Sequence, residues 1–278
     1  MEKYTHMKQE VYSKVPQWFR DSEQGQYSVM VGDDIDSLTT ATLMRQFMGW
    51  EVNWFYDFNK VYVVDDSIDR RNRVGVDMAL EFNEKTIDNH VTLFSGTDKP
   101  NLNSVNMNVM YGVSRDNYTD KYAMSTLLLA WSLLGLELPS TDEGKKILLS
   151  IDSSFKGHYD EKFRETHSEW LRKLGFEELI EFLDTKTNRK ELKVTIKNRY
   201  NLSEKIKMTE EKQLETNIDL QGIGKYLEID LQLPCDNFNL VYKLRRENLE
   251  LNKRNHSKLK GTYSFALTYK DLASYTLL

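Results

Sequence analysis

The segment from residue 27 to residue 39 constrains the fold of this chain more than any other stretch. Its first part is apolar and β-branched, as in a buried parallel strand, and the acids Asp33, Asp34 and Asp36 follow it at once. Residues 41–48 then carry apolar side chains at helical spacing. The acids are therefore predicted at a strand-to-helix turn, which is the edge where open α/β sheets bind ligands.

The composition is that of a folded globular protein. The 278 residues are 40% hydrophobic and 12% aromatic, which is enough for a sizeable core. No apolar stretch approaches the roughly 18 residues that span a bilayer, so we expect no membrane association. The first ten residues lack the apolar core of a signal peptide, which predicts a cytoplasmic location. Cys235 is the single cysteine, so it forms no intrachain disulfide.

Further strands and helices alternate after the first pair. Strands are predicted at residues 50–56, 60–66, 73–77 and 86–92, and helices at 122–135, 141–152, 163–174 and 176–183. This order predicts an α/β fold in which a mostly parallel sheet is flanked by helices, with a smaller C-terminal domain that is mainly helical or mixed.

Changes in composition suggest three regions. Residues 1–159 form the acidic α/β domain, with 16 Lys plus Arg against 23 Asp plus Glu. Residues 160–190 read as a helical connector, and residues 191–278 as a C-terminal domain of uncertain fold. Within this last region a strand is predicted at residues 226–234 and a hairpin at 262–278.

Asp34 and Asp36 are the first candidate site residues. Two carboxylates at one loop suit the hard cations Mn²⁺ or Mg²⁺. A single Asp-x-Asp pair is also explained by a helix N-cap or an Asx turn, since Asp is favoured at both. A haloacid-dehalogenase-type phosphatase would need Thr two residues after the second Asp, whereas Thr39 lies three residues after Asp36.

Acids recur in a fixed order along the chain, at Asp34, Asp36, Asp77, Asp88-Asn89-His90 and Asp152. This order resembles the DHH phosphoesterase family, which includes RecJ-type exonucleases, oligoribonucleases and manganese-dependent pyrophosphatases. Residues 34–39 are similar to its first motif, Asp-x-Asp-Gly-x-Ser/Thr, with Ser37 at the Gly position. The segment Asp88-Asn89-His90 takes the place of the namesake Asp-His-His. The resemblance covers roughly residues 27–158.

The resemblance implies a role for each matching residue. Asp34 would bind one of two Mn²⁺ or Mg²⁺ ions, Asp36 and Asp152 would bind the other, and Asp77 would bridge them. His90 would lie beside the substrate phosphate as a catalytic residue, with Asp88 orienting it. Asn89 could offer an amide oxygen to a metal. Two ions about 3.5 to 4 Å apart would polarise the phosphoryl group and activate a water.

Two positions depart from the family pattern. Met30 stands where many members have a metal-binding His, and a thioether is a poor ligand for hard cations. Asn89 replaces the first His of the namesake pair, and His158 is either its replacement as a ligand or a solvent-exposed loop residue. His167 lies in polar surroundings and is expected at the surface. The C-terminal region also lacks the family's Gly-Gly-Gly-His substrate motif.

These observations predict a metal-dependent phosphodiesterase that hydrolyses a nucleotide or short single-stranded nucleic acid. The alternative is a catalytically impaired protein that binds a nucleotide, a nucleic acid or a partner protein without turnover, and a third option is an interaction module on an enzyme scaffold. Residues 243–260 hold seven basic residues against two acids, either a solvated helix face with a basic loop or a phosphate-binding patch.

Overall fold

A seven-stranded sheet forms the centre of the molecule in a computed structural model that describes residues 5–251 and 261–278. The strands, in their order across the sheet, are β6 (Ser104–Val105), β5 (Lys85–Ile87), β4 (Arg73–Val76), β1 (Ser28–Val31), β2 (Val52–Tyr56), β3 (Lys60–Val63) and β9 (Asn239–Lys243). Strands β6, β5, β4, β1 and β2 are parallel, whereas β3 and β9 are antiparallel to their neighbours. The prediction of an α/β fold with a mostly parallel sheet is confirmed.

Helices flank this sheet. They are α1 (Gln9–Tyr12), α2 (Gln17–Arg20), α3 (Ile35–Met48), α4 (Met107–Met110), α5 (Thr126–Leu133), α6 (Asp142–Ser150), α7 (Arg164–Leu174), α8 (Glu178–Thr185), α9 (Lys197–Arg199) and α10 (Leu220–Leu227). A π-helical turn at Glu191–Ile196 leads into α9, and short 3₁₀ turns lie at Arg70–Asn72, Tyr118–Asp120 and Ile151–Ser153. No helix in this described part of the chain is long and apolar enough to cross a membrane.

The two faces of β1 bury different side chains because successive residues of a strand point to opposite faces. Val29 and Val31 belong to the main core, which extends over α3 and α5. Met30 packs into a second cluster with Trp54 and Met78. Strand β1 is therefore buried on both faces, as expected for the middle of a parallel sheet.

Helix α3 begins and ends where the sequence indicates. Asp34 is its N-cap, and the carboxylate accepts a hydrogen bond from the Ser37 amide at 3.2 Å. Gly49 ends the helix in the left-handed conformation, with φ 62°. The interpretation of Asp34 as a helix cap is thus confirmed.

The C-terminal region is less helical than its composition indicates. A three-stranded antiparallel sheet has the order β10 (Arg245–Glu250), β12 (Leu272–Leu277) and β11 (Thr262–Tyr269), and β7 (Lys207–Met208) pairs with β8 (Leu214–Glu215). Strands β11 and β12 are the predicted hairpin.

Two predictions for this region are wrong. The strand expected at residues 226–234 is not formed, because α10 extends to Leu227 and Glu228 ends it in the left-handed conformation. The helix face expected from residue 243 is instead strand β10, which pairs with β12 along its length. Residues 252–260 of the basic run lie outside the described residues.

The N- and C-terminal regions share secondary structure. Strand β9 extends the main sheet by pairing with β3, and the chain passes directly from β9 into β10 at Leu244. Strand β11 forms bridges to the main domain between Ser264 and Leu80 and between Leu267 and Val91. The small sheet is therefore fixed over the loops that follow β4 and β5. The division at residues 159 and 190 stays a prediction.

Candidate metal centre

The predicted acids meet because their strands are neighbours. Strands β5, β4 and β1 are adjacent and parallel, so their carboxyl ends lie at one edge of the sheet. Asp34 and Asp36 follow β1, Asp77 follows β4, and Asp88 follows β5. Sheet topology thus brings together residues that are more than 50 positions apart in sequence.

A cleft of about 460 Å³ opens at this edge. Its lining includes the predicted residues Asp34, Asp36, Asp77, His90 and Asp152, together with Asp33. The C-terminal region adds three cations to the lining, Lys197, Lys205 and Arg246. A volume of this size suits a small ligand.

Helix α5 fixes two of the acids. The carboxylate oxygens of Asp36, which is 3% exposed, accept the backbone N–H groups of Thr126 at 2.8 Å and Leu127 at 2.7 Å. The Thr126 hydroxyl donates to Asp77 Oδ1 at 2.8 Å. Free N–H groups at a helix N-terminus favour a negative charge, so α5 helps hold both carboxylates ionised.

Asp88 orients His90. Asp88 is fully buried, and its Oδ1 lies 2.7 Å from His90 Nδ1 while its Oδ2 accepts Asn106 Nδ2 at 2.9 Å. His90 lines the cleft with a side chain that is 36% exposed, and Nδ1 is engaged by Asp88. The Nε2 atom is therefore the ring nitrogen that can serve a ligand in the cleft.

Asn89 is held against Asp152. Its amide nitrogen donates to Asp152 Oδ2 at 3.0 Å and to the Met124 carbonyl at 2.9 Å. Both partners are acceptors, so the orientation of the amide is unambiguous. The observed contact orients the carboxylate of Asp152, and coordination of a metal through the oxygen of Asn89 stays a prediction.

Two of the acids sit on strained backbone. Asp77 has φ 57° and Asp152 has φ 47°, both in the left-handed region that non-glycine residues seldom occupy. Such residues are concentrated at functional sites, where surrounding contacts hold them in place. Here the contacts to Thr126 and Asn89 hold these two side chains.

Lys205 lies against the first acids. Its ammonium is 2.9 Å from Asp33 Oδ1 and 3.3 Å from Asp34 Oδ2. The backbone of the same segment is also attached, since the Ile206 amide donates to the Asp33 carbonyl at 2.8 Å. Asp34 thus combines a helix cap with an ion pair, and Lys205 offsets part of the negative charge of the centre.

The acids repel one another strongly. Burial raises the pKa of Asp36 well above its usual value, and the charges of Asp77 and Asp152 raise it further. Burial likewise raises the pKa of Asp77 and, to a smaller extent, that of Asp152. Burial alone would lower the pKa of His90, but the carboxylates of Asp88, Asp77 and Asp152 together outweigh it, and the pKa rises to about 10. A cation is therefore favoured among these groups.

Met30 lies on the face of β1 that packs against Trp54 and Met78, in a cluster distinct from the core that contains Val29 and Val31. Two nearby histidines were misjudged from sequence. His158 is 1% exposed and pairs with Asp184 at 3.1 Å rather than with Asp152, so it is neither the replacement ligand nor the exposed loop residue that the sequence suggested. His167, expected at the surface, is buried and bonds to the Ser154 carbonyl at 2.6 Å.

The sequence did not single out several residues of the cleft as functional. Thr126, which orients Asp77, stands in the apolar segment that is predicted as the helix at residues 122–135. Lys205 and Arg246 lie in charged stretches of the C-terminal region that look solvated in sequence. Ser37, at the Gly position of the first motif, accepts the Gly32 amide at 2.6 Å and donates to the Val76 carbonyl at 2.7 Å, so it ties the end of β1 to the end of β4. The only sequence signal for Ser37 was its place at the Gly position of the first motif.

One subset of the site has ligand atoms close enough to share an ion. The ligand atoms of Asp77, Asp88 and His90 lie within 4.8 Å of one another. Comparison with known proteins adds no relative: no protein-family model, no curated protein and no solved structure matches the chain. The argument for function therefore depends on the geometry of this centre.

Proposed function

We propose that the protein is a metal-dependent phosphodiesterase of the DHH-like type, acting on a nucleotide or short single-stranded nucleic acid. The observation that carries the proposal is the convergence of Asp34, Asp36, Asp77, His90 and Asp152 on one cleft. These are the residues that the ordered motifs single out, and they come from segments far apart in the chain. Asp36 and Asp77 are buried, and two buried carboxylates would be costly to keep beside the acids Asp34 and Asp152 if the group had no function.

The donor set fits Mn²⁺ or Mg²⁺. Hard carboxylate oxygens are ligands that these ions accept, and the raised pKa values of Asp36 and Asp77 indicate that the protein does not fully offset the negative charge of these groups. Asp34, Asp36, Asp77 and Asp152 would hold the metal, and we propose two ions. The metal supplies Lewis acidity to the phosphoryl group and an activated water.

The chain's own residues then position the substrate and move a proton. His90 Nε2 faces the cleft while Asp88 holds Nδ1, an arrangement that lets the ring donate a proton to a phosphoryl or leaving oxygen. The carboxylate of Asp88 at Nδ1 raises the pKa of His90 and so favours the protonated ring that this step needs. The Thr126 and Asn89 contacts keep Asp77 and Asp152 in place.

A second candidate is a protein that binds a nucleotide, nucleic acid or partner without turnover. The contacts of Asp34 favour it, because this carboxylate already caps α3 and pairs with Lys205. Met30 favours it as well, because it packs in the cluster of Trp54 and Met78 and offers no imidazole next to Asp34.

Hydrolysis of bis-p-nitrophenyl phosphate and of a labelled oligonucleotide, with Mn²⁺ or with EDTA, separates these candidates. We expect turnover with Mn²⁺ that EDTA abolishes and that Asp77→Asn removes. Asp66→Asn is the matched control, since Asp66 also follows a strand but is exposed. Absent or metal-independent turnover would contradict the phosphodiesterase, and tight binding of a nucleotide recovered intact after incubation with Mn²⁺ would establish the second candidate.

A further inference from the structure

Arg246 faces the cleft from the small sheet. It lies directly opposite Thr276 on β12, and Thr276 lies opposite Ser264 on β11. Cross-strand partners point to the same face of a sheet, and all three residues line the cleft. Arg245 precedes Arg246 on the strand and therefore points to the other face, where it pairs with Glu247 at 2.7 Å.

Aromatic stacking fixes the guanidinium of Arg246. The group lies 4.9 Å from the centroid of the Phe58 ring, and Nε is 3.4 Å from Ser274 Oγ. The Phe58 ring in turn lies 4.8 Å from that of Tyr56. Stacking of this kind restricts the guanidinium plane, so less entropy is lost when it binds an anion.

The backbone of Phe58 is strained. It lies in the turn between β2 and β3 with φ 66°, a left-handed conformation that is uncommon for a bulky residue. Gly or Asn would fit this turn with less strain. A large ring kept in such a position beside a cleft indicates that its side chain has a use, and the use visible here is to support Arg246.

The charge of Arg246 is available to a ligand. Lys205 is engaged by Asp33 and Asp34. Arg246 acts on Asp33 only through space, opposing the burial that raises the pKa of that carboxyl, and no carboxylate among residues 5–251 and 261–278 lies within 4.0 Å of its guanidinium. The hydroxyls of Tyr56, Ser264 and Thr276 are also satisfied, since they bond to one another at 2.8 to 3.2 Å. The three hydroxyls beside Arg246 are therefore fixed in place, and the planar guanidinium can offer two parallel N–H donors to a ligand.

We propose that Arg246 is the centre of a second anion-binding subsite, which takes a phosphate of the substrate other than the one that is cleaved. This inference rests on the proposed function and specifies its substrate class. A guanidinium matches a phosphate through two parallel hydrogen bonds, and the acidic centre in the same cleft serves the scissile group. The preferred substrate thus carries at least two phosphates, as a dinucleotide with a terminal phosphate does.

Binding of thymidine dinucleotides with and without a 5′-phosphate tests the subsite. Calorimetry in Ca²⁺, with chromatography to verify that the ligand is intact, gives the ratio of the two dissociation constants. We expect wild type to bind the phosphorylated form at least tenfold more tightly, the gain typical of a charge-assisted hydrogen-bonded pair. Arg246→Gln should reduce this ratio to below about threefold, and Arg246→Lys should retain part of it because Lys is a single point charge.

Arg245→Gln is the matched control, because it removes the same charge from the opposite face of the same strand. It should retain the full ratio. An unchanged ratio in Arg246→Gln, or no preference in wild type, would overturn the subsite. Hydrolysis of both dinucleotides in Mn²⁺ is measured in parallel. If wild type cleaves neither but keeps an Arg246-dependent preference in binding, the subsite stands and the phosphodiesterase does not.

Discussion

Replacing Asp77 by Asn is expected to change stability in opposite directions with and without metal. Asp77 is 8% exposed, and its nearest oxygen lies within 4.8 Å of ligand atoms of Asp88 and His90. Burial disfavours the charge of Asp77 most, and the carboxylates of Asp34, Asp152 and Asp88 repel it, whereas His90 attracts it. A like charge about 8 Å away that is left unbalanced repels by about 2 kcal/mol at an effective dielectric constant of about 20. The weaker bond from Thr126 to a neutral amide offsets part of the gain.

The net effect in EDTA is a stabilisation of about 1 to 2 kcal/mol. Asn also tolerates the left-handed conformation of this position, with φ 57°, so the backbone adds no penalty. In a chain of this size 1 kcal/mol corresponds to about 2–4 °C in melting temperature. We therefore expect Asp77→Asn to melt about 2–8 °C above wild type in EDTA.

In Mn²⁺ the order should reverse. At about 100 times its dissociation constant, a ligand that binds only the folded state adds about 2.7 kcal/mol, which raises the wild-type melting temperature by roughly 5–10 °C. Without Asp77 the ion loses a ligand, and the increase should be below about 2 °C. Differential scanning calorimetry of wild type, Asp77→Asn and the Asp66→Asn control measures both conditions. A variant that is less stable than wild type in EDTA, yet gains as much from Mn²⁺, would refute this account of the centre.

Three further perturbations test the supporting contacts. Asn89→Ala removes the bond to Asp152 and should weaken Mn²⁺ binding about tenfold in a calorimetric titration, whereas an unchanged affinity would mean that Asp152 needs no support. Lys205→Gln removes a cation that competes with Mn²⁺ for Asp33 and Asp34, so Mn²⁺ should bind about 3- to 10-fold more tightly. Lys207→Gln, which removes a charge two residues along the same segment, is the control. Weaker binding of Mn²⁺ to Lys205→Gln would contradict the competition. Burial lowers the pKa of His167 to about 4, so below its unfolded pKa of 6.5 the unfolded chain binds a proton that the folded chain does not. Between pH 6.5 and 4 wild type should thus lose about 3 kcal/mol more stability than His167→Gln in urea unfolding, and parallel curves would show that His167 is not the cause.

Much of the fold can be read from local patterns. The turn after β1, the cap of α3 at Asp34 and the C-terminal hairpin each depend on residues a few positions apart. The prediction of a strand at residues 226–234 was wrong because its alternating apolar residues belong to the end of the amphipathic helix α10 and to the turn after it. Strands β9 and β10 were not predicted, because they are stabilised by pairing with β3 and β12, which are distant in sequence.

The sequence by itself determined which acids are candidates, since Asp34, Asp36, Asp77, Asp88 and Asp152 stand at the ends of predicted elements in an order that can be recognised. Only the tertiary structure decided what surrounds them. Thr126, Lys205 and Arg246 reach the cleft because α5 abuts the sheet edge and the small sheet is bridged to the loops after β4 and β5. The physical reason is that the residues next to a strand end in sequence determine where the strand ends. Which cation or hydroxyl contacts an acid depends instead on which segments the fold places next to it.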